Sequence, residues 1–130
     1  MIGLDTTAII DIFNGEENII KKINELREPL VSTIINYQEI FFGVDLGDHT
    51  LIEEENYYDY FFESIEVFGL TMDAAKRASK VLRSLRKVGY DIGEFDSMIA
   101  GVLLTNGINK IITRNVKHFS KVKGLKVLSY

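Results

Sequence analysis

Cysteine is absent from this sequence of 130 residues. That removes disulfide scaffolds and thiolate zinc sites. It suits a reducing compartment, so a cytoplasmic location is the expectation. Proline occurs once, at Pro29, and no Ser/Gly-rich linker, repeat or low-complexity stretch interrupts the chain, so one domain over residues 1–130 is expected. No run of about 18 uncharged apolar residues exists, which argues against a membrane-spanning helix. The opening Met1-Ile2-Gly3-Leu4-Asp5 lacks the basic start and long apolar centre of a secretion signal.

Hydrophobic residues are plentiful at 46%, enough for a packed core and too many for wholesale disorder. Charge is unevenly distributed along the chain. Residues 1–75 carry sixteen acids against three bases (Lys21, Lys22 and Arg27), whereas residues 76–130 carry twelve bases against Asp91, Glu94 and Asp96. A basic second half can supply phosphate contacts while the first half supplies metal ligands or meets a basic partner. Halves of a chain also interleave in a fold, so asymmetry along the sequence is not yet asymmetry of surface.

The apolar pattern alternates between short runs and helical stripes. Met1 to Leu4 reads as a buried strand ending at Asp5. Thr6 or Thr7 is the expected cap of a helix carrying Ile9, Ile10, Ile12 and Phe13, which Asn14-Gly15 stops. A second helix runs from Glu16 to Arg27, and Pro29 introduces the strand Leu30-Val31-Ser32. Thr33 caps a third helix with an expected end at Gly47-Asp48. An acidic, aromatic helix is expected from His49 to Ser64, then a strand Ile65-Glu66-Val67-Phe68. Thr71 opens a long helix to Lys87, with Met72, Ala75, Ala78, Val81, Leu82 and Leu85 as its apolar positions. Gly89 to Gly93 reads as a loop and Asp96 as the start of a helix burying Met98, Ile99, Val102 and Leu103. Lys110 to Thr113 and Lys126 to Leu128 are strands on either side of a helical turn from Asn115 to Phe119. The alternation predicts an α/β fold, a three-layer α/β/α arrangement around a mainly parallel sheet.

Ligands of such sheets sit beyond the carboxyl ends of the strands. Asp5 closes the first strand, Glu39 lies in the helix after the second, Asp96 enters its helix from a loop, and Asn115 follows the strand at 110–113. Carboxylates gathered there, without cysteine or clustered histidine, suit a hard divalent cation such as Mg²⁺ or Mn²⁺. Each acid also has a plainer reading: Asp96 as a cap or dipole partner, Asp5 as a turn residue, Glu39 as a helix boundary with solvent.

Four segments resemble the motifs of PIN-domain proteins. They are Leu4-Asp5-Thr6, the stretch Ser32 to Val44 with Glu39 at its centre, Ile92 to Ala100 around Asp96, and Ile112-Thr113-Arg114-Asn115-Val116-Lys117-His118-Phe119. They occur in order and span the chain, and the pattern resembles the VapC-type toxins of toxin–antitoxin pairs. The resemblance implies a Mg²⁺- or Mn²⁺-dependent endoribonuclease acting on single-stranded RNA, with a cognate antitoxin protein and a homodimer as its partners. Carried over position by position, Asp5, Glu39 and Asp96 match the acidic triad. Asn115 stands at a fourth position that is often Asp, and His118 where some relatives carry an acid. Thr6 and Thr113 are expected to orient ligands, and Glu94 either to approach a second ion or to face solvent. Arg114 and Lys117 are candidates for flanking phosphates. His118 is either a proton donor to the leaving oxygen or a structural hydrogen-bonder. The aromatic run Tyr57, Tyr58, Tyr60, Phe61 and Phe62 either stacks bases or packs a helix pair, dimer or antitoxin groove. Two other functions compete: a metal-free PIN-fold binding module, and a phosphoryl-transfer protein with Asp5 as nucleophile. The latter is disfavoured because Thr7 stands where a second Asp would be needed and no Gly-rich phosphate loop exists.

Overall fold

The computed structural model describes residues 1–44 and 52–130. Five short strands, β1 (Ile2–Leu4), β2 (Leu30–Thr33), β3 (Glu66–Phe68), β4 (Lys110–Ile112) and β5 (Lys126–Leu128), form one sheet in the order β3-β2-β1-β4-β5. Every pairing is parallel. The chain builds outward from β1 to β3, then returns to add β4 on the other side of β1. The reversal creates a crevice at the carboxyl ends of β1 and β4, where α/β sheets bind ligands.

Helices cover both faces. On one side lie α1 (Thr6–Phe13), α2 (Glu17–Leu26) and α4 (Ile52–Ser64), packed on Ile2, Leu4 and Ile112. On the other lie α5 (Met72–Lys87), α6 (Gly93–Thr105) and α7 (Val116–Phe119), packed on Val31 and Ile111. Helix α3 (Ile34–Gly43) serves both, with Ile35 in one cluster and Ile40 in the other. This is the expected three-layer arrangement. Ile2 and Leu4 face the first cluster, so Gly3 between them faces the second. A Cβ on Gly3 would lie 2.7 Å from a Leu103 methyl carbon, so glycine here lets α6 approach the sheet closely.

Helix α6 is buried nearly all round, as its apolar sequence requires. Ser97, Ile99, Ala100, Gly101, Val102 and Leu103 are all buried. Its outer side meets α5 at backbone contact: a Cβ on Gly101 would stand 2.7 Å from both the Ala74 carbonyl oxygen and the Ala78 nitrogen. The expected apolar face of α5 is corrected accordingly. Ala74, Ala78 and Leu85 are the buried positions, while Met72 is 90% exposed. The i, i+4 spacing from Ala78 leads back to Ala74, and only a small side chain fits against Gly101.

Helix ends differ from expectation in several places, and α6 begins at Gly93, three residues before the expected Asp96. Neither Thr6 nor Thr7 caps α1, which has Asp5 at its N-cap without a side-chain cap bond; both threonine hydroxyls are engaged elsewhere. Helix α2 stops at Leu26 with Arg27 left-handed at φ 51°, before Pro29 is reached. Thr33 and Thr71 do cap α3 and α5, each accepting from the amide three residues on. The expected helix end at Gly47-Asp48, and the start at His49, lie outside the described residues. The aromatic run packs α4 inward: Phe13 meets Tyr57 and Tyr58 at 4.8 and 4.9 Å, and Tyr37 meets Phe62 at 5.1 Å between ring centres. Tyr60 is 73% exposed.

The Gly101 contact has a measurable consequence. Gly101→Ala is expected to destabilise the fold by about 3 kcal/mol, the upper end for overpacking, because its new neighbours are backbone atoms that cannot yield. Urea denaturation should show a lower midpoint with an unchanged slope; a midpoint equal to the parent's would refute the close crossing.

Candidate active site

Asp5 is 2% exposed at the end of the central strand. The pairings Leu4↔Ile112 and Gly3↔Val31, carried onward, set it in a row between Thr113 and Thr33. Thr113 donates to Asp5 Oδ2 at 2.6 Å, and Asn36 Nδ2 donates to Oδ1 at 3.3 Å. Thr7 Oγ1 lies 3.4 Å from Oδ2 and accepts the Arg114 backbone N–H at 3.0 Å. Burial pushes the Asp5 carboxyl above its ordinary range; the Thr113 bond opposes that shift and the charge of Asp96 adds to it.

Glu39 arrives from α3, whose orientation Thr33 sets by capping. It is half-buried and accepts from Thr6 Oγ1 at 2.8 Å. Its carboxyl is also raised, by burial first and then by repulsion from Asp5 and Asp96, with the Thr6 bond opposing. Asp96 stands in the first turn of α6, its side chain 13% exposed, with Oδ2 at 2.6 Å from His118 Nδ1. A carboxylate only accepts, so that ring nitrogen carries the hydrogen.

The charge of Asp96 therefore acts on both Asp5 and Glu39, while each of the three acids is engaged by hydrogen-bond partners. Among the described residues, no three His, Asp or Glu groups stand close enough to close around an ion as placed. The donor set nevertheless fits a hard cation. It consists of oxygens alone, and two of its members are held above their ordinary pKa partly by mutual repulsion that a cation would relieve.

The remaining predicted residues scatter. Asn115 is exposed at the N-cap of α7; its amide donates to Thr113 Oγ1 at 2.9 Å, and its side chain makes no cap bond. Glu94 is 73% exposed and pairs with Arg86 at 3.4 Å. Lys117 is exposed. Arg114 Nε pairs with Asp11 Oδ2 at 2.9 Å.

Several contributors carried no functional expectation from sequence. Asn36 is fully buried and binds the site together: its oxygen accepts from Thr33 at 2.7 Å and Ser32 at 3.2 Å, while its nitrogen serves Asp5 and, at 3.1 Å, Thr6. An amide amid Ile34, Ile35 and Tyr37, three residues after a capping Thr, was the available signal. Asp11 is another buried acid, receiving Tyr130 Oη at 2.6 Å as well as Arg114. Among the described residues no buried side-chain nitrogen or oxygen lacks a partner.

The PIN-domain family profile matches residues 2–125. The chain belongs to the PIN-domain family. Over nearly its whole length it is similar to VapC proteins. It is 27% identical across 127 residues, 95% of this chain and 93% of the other, to the tRNA(fMet)-specific endonuclease VapC of Salmonella typhimurium. It is 25% identical to ribonuclease VapC1 of Rickettsia felis, over 97% of this chain and 93% of that protein. Among solved structures, VapBC-1 from nontypeable Haemophilus influenzae superposes with a TM-score of 0.82 at 26% identity, covering 99% of this chain and 98% of that one. VapBC2 of Rickettsia felis bound to a promoter DNA fragment gives a TM-score of 0.85 at 19% identity over 100% and 99%, a likeness of fold.

The raised carboxyls set a pH dependence. A folded-state pKa above the unfolded one means that ionisation destabilises the fold, so the cost is absent at low pH and grows as pH rises through the folded value. Glu39→Gln keeps an oxygen for Thr6 and removes the charge. In EDTA it is expected to melt higher than the parent at pH 7 and equally at pH 4. A lower melting temperature at pH 7 would contradict the repulsion.

Proposed function

We propose that this chain is a Mg²⁺- or Mn²⁺-dependent endoribonuclease of the VapC kind, cutting single-stranded RNA as the toxin of a toxin–antitoxin pair. The observation that carries the reading is that hydrogen bonds through Asn36 and Thr6 tie Asp5 at the end of β1 to Glu39 of α3, with Asp96 of α6 near enough for its charge to act on both. Full-length likeness to proteins named endonuclease and ribonuclease supports it. Solved VapBC complexes support an antitoxin as partner, and a homodimer in the cytoplasm completes the reading. No helix among the described residues is long and apolar enough to cross a membrane.

Asp5, Glu39 and Asp96 would hold the cation, drawing together around it. When bound, a divalent ion supplies a nucleophilic water at neutral pH and offsets charge growing on the phosphate and the leaving oxygen. The protein's own contribution is placement. Thr113 and Asn36 fix the two Asp5 oxygens, Thr6 fixes Glu39, and His118 fixes Asp96, so each ligand keeps its orientation. Asn115 offers a carbonyl oxygen without a charge. Lys117, flanking it, holds a neighbouring phosphate, and Arg114, whose Nε is paired with Asp11, adds its remaining guanidinium nitrogens.

The burial of Asp5, with both oxygens engaged, tells against its use as a covalent nucleophile. A metal-free binding module remains the second reading, favoured by Asn115 at the fourth position.

Labelled single-stranded RNA should be cleaved with Mg²⁺ or Mn²⁺ and left intact with excess EDTA. Asp5→Asn and Asp96→Asn should each lower kcat on the order of 10³-fold, equivalent to about 4 kcal/mol. Cleavage that survives EDTA sinks the metal reading. In calorimetry, Mn²⁺ binding lost in Asp5→Asn separates the nuclease from the metal-free module, which would show no carboxylate-dependent binding in either protein.

A further inference from the structure

Three basic residues of the second half are held by acids, and the other nine have none within 4.0 Å among the described residues. Arg86 is paired with Asp91 and Glu94, Lys110 with Glu28, and Arg114 with Asp11. Arg77, Lys80, Lys121 and Lys123 have no acid within 4.0 Å among the described residues, and all four are exposed. These four line a single cleft of about 510 Å³ between α5 and the turn that follows α7, and no acid lines it. In a chain of net charge −4, assembling four like charges around one recess raises the energy of the fold through mutual repulsion. Packing does not require their charges, since the buried residues of α5 are Ala74, Ala78 and Leu85.

One short segment, α7 and the turn after it, connects the cleft to the acid site. Lys121 follows His118 by three residues, and His118 touches Asp96. Lys121 Nζ also sits 4.5 Å from the centre of the Tyr90 ring, in the loop that leads into α6. Arg77 and Lys80 also line a neighbouring recess with Lys76 and one acid, Asp73, and Gly124 lines another with Lys126 and the paired Lys110.

We propose that this cleft is a phosphate track that grips single-stranded RNA on one flank of the scissile bond, through Arg77, Lys80, Lys121 and Lys123. Several cations spread along a recess suit a polymer carrying a charge at every residue better than a lone anion. The contacts are to phosphate, so they contribute affinity and register and no base preference. The proposal rests on the nuclease reading given above.

The test compares two double variants with equal loss of charge. Lys80→Gln/Lys123→Gln alters the cleft, and Arg83→Gln/Lys87→Gln alters another recess of α5. Binding of a labelled single-stranded RNA of mixed sequence is measured in EDTA across a salt series. The cleft variant should bind about tenfold more weakly, and its slope of log K against log salt should shrink by about 1.4, two phosphates at about 0.7 each. With Mg²⁺, KM on this RNA should rise while kcat holds, and a tetranucleotide too short to reach the cleft should be cut as by the parent. The control should match the parent. Equal weakening in both variants would reduce the effect to net charge and overturn the proposal. Normal RNA binding by the cleft variant would also overturn it, leaving the basic surface to an acidic protein. A parent protein that cleaves while the cleft variant behaves as the control sinks the track alone; a parent that neither binds nor cleaves RNA sinks the nuclease reading and the track with it.

Discussion

A carboxylate placed almost out of reach of water at the end of a central strand is the constraint around which this molecule is organised. Asp5 must be there for three backbone reasons. Strand β1 ends at Leu4, β1 is flanked on both sides, and α1 begins at once. Ionised and buried, it would be costly without partners. The surrounding elements supply them: Thr113 from the end of β4, Asn36 from the first turn of α3 and Thr7 from α1. Those partners are themselves bonded to Ser32, Thr33 and Asn115. The polar residues within the sheet's upper edge thus form one connected network, and disturbing any member leaves a buried group unmatched.

Of two further acids, Glu39 joins this network through Thr6, which Asn36 also bonds, and Asp96 stands beside it. Glu39 and Asp96 enter on helices whose directions are set by unrelated features, the Thr33 cap for α3 and the glycine-mediated packing for α6. Thr6 bonds Glu39, and His118 bonds Asp96. The result is a patch where negative potential is concentrated by rigid placement. Sites of this kind trade stability for function, since the repulsion lasts as long as nothing positive is present.

Much of this architecture was legible in the sequence because it depends on local rules. The alternation of short apolar runs with helical stripes determined the layers. Thr33 and Thr71 are caps with ordinary signatures. The location of Asp5, Glu39 and Asp96 near one edge followed from their positions relative to strand ends. What escaped reading was set by contacts between distant segments. Met72 reads as apolar and therefore inward, yet the crossing with Gly101 selects Ala74 instead. Thr6 and Thr7 read as caps, yet long-range bonds to Glu39 and the Arg114 amide claim their hydroxyls. The pairing of Asp11 with Tyr130 joins residues 119 apart, and no periodicity announces it. The uneven distribution of charge was plain from the start, but only the fold shows which cations are held in ion pairs and which four share one recess.

Helices α5 and α6 touch through Gly101, Ala74 and Ala78 with no side chain between them. Contacts of that kind can neither roll nor slide without overlap, so the pair moves as one solid piece. Asp96 belongs to one member of the pair, and the outer surface of the other belongs to the same piece. Whatever rests on that outer surface is held at a constant offset from the acid, as an object in a jig is held from the blade. A long ligand would thereby be measured as well as bound, with the spacing written into two alanines and a glycine.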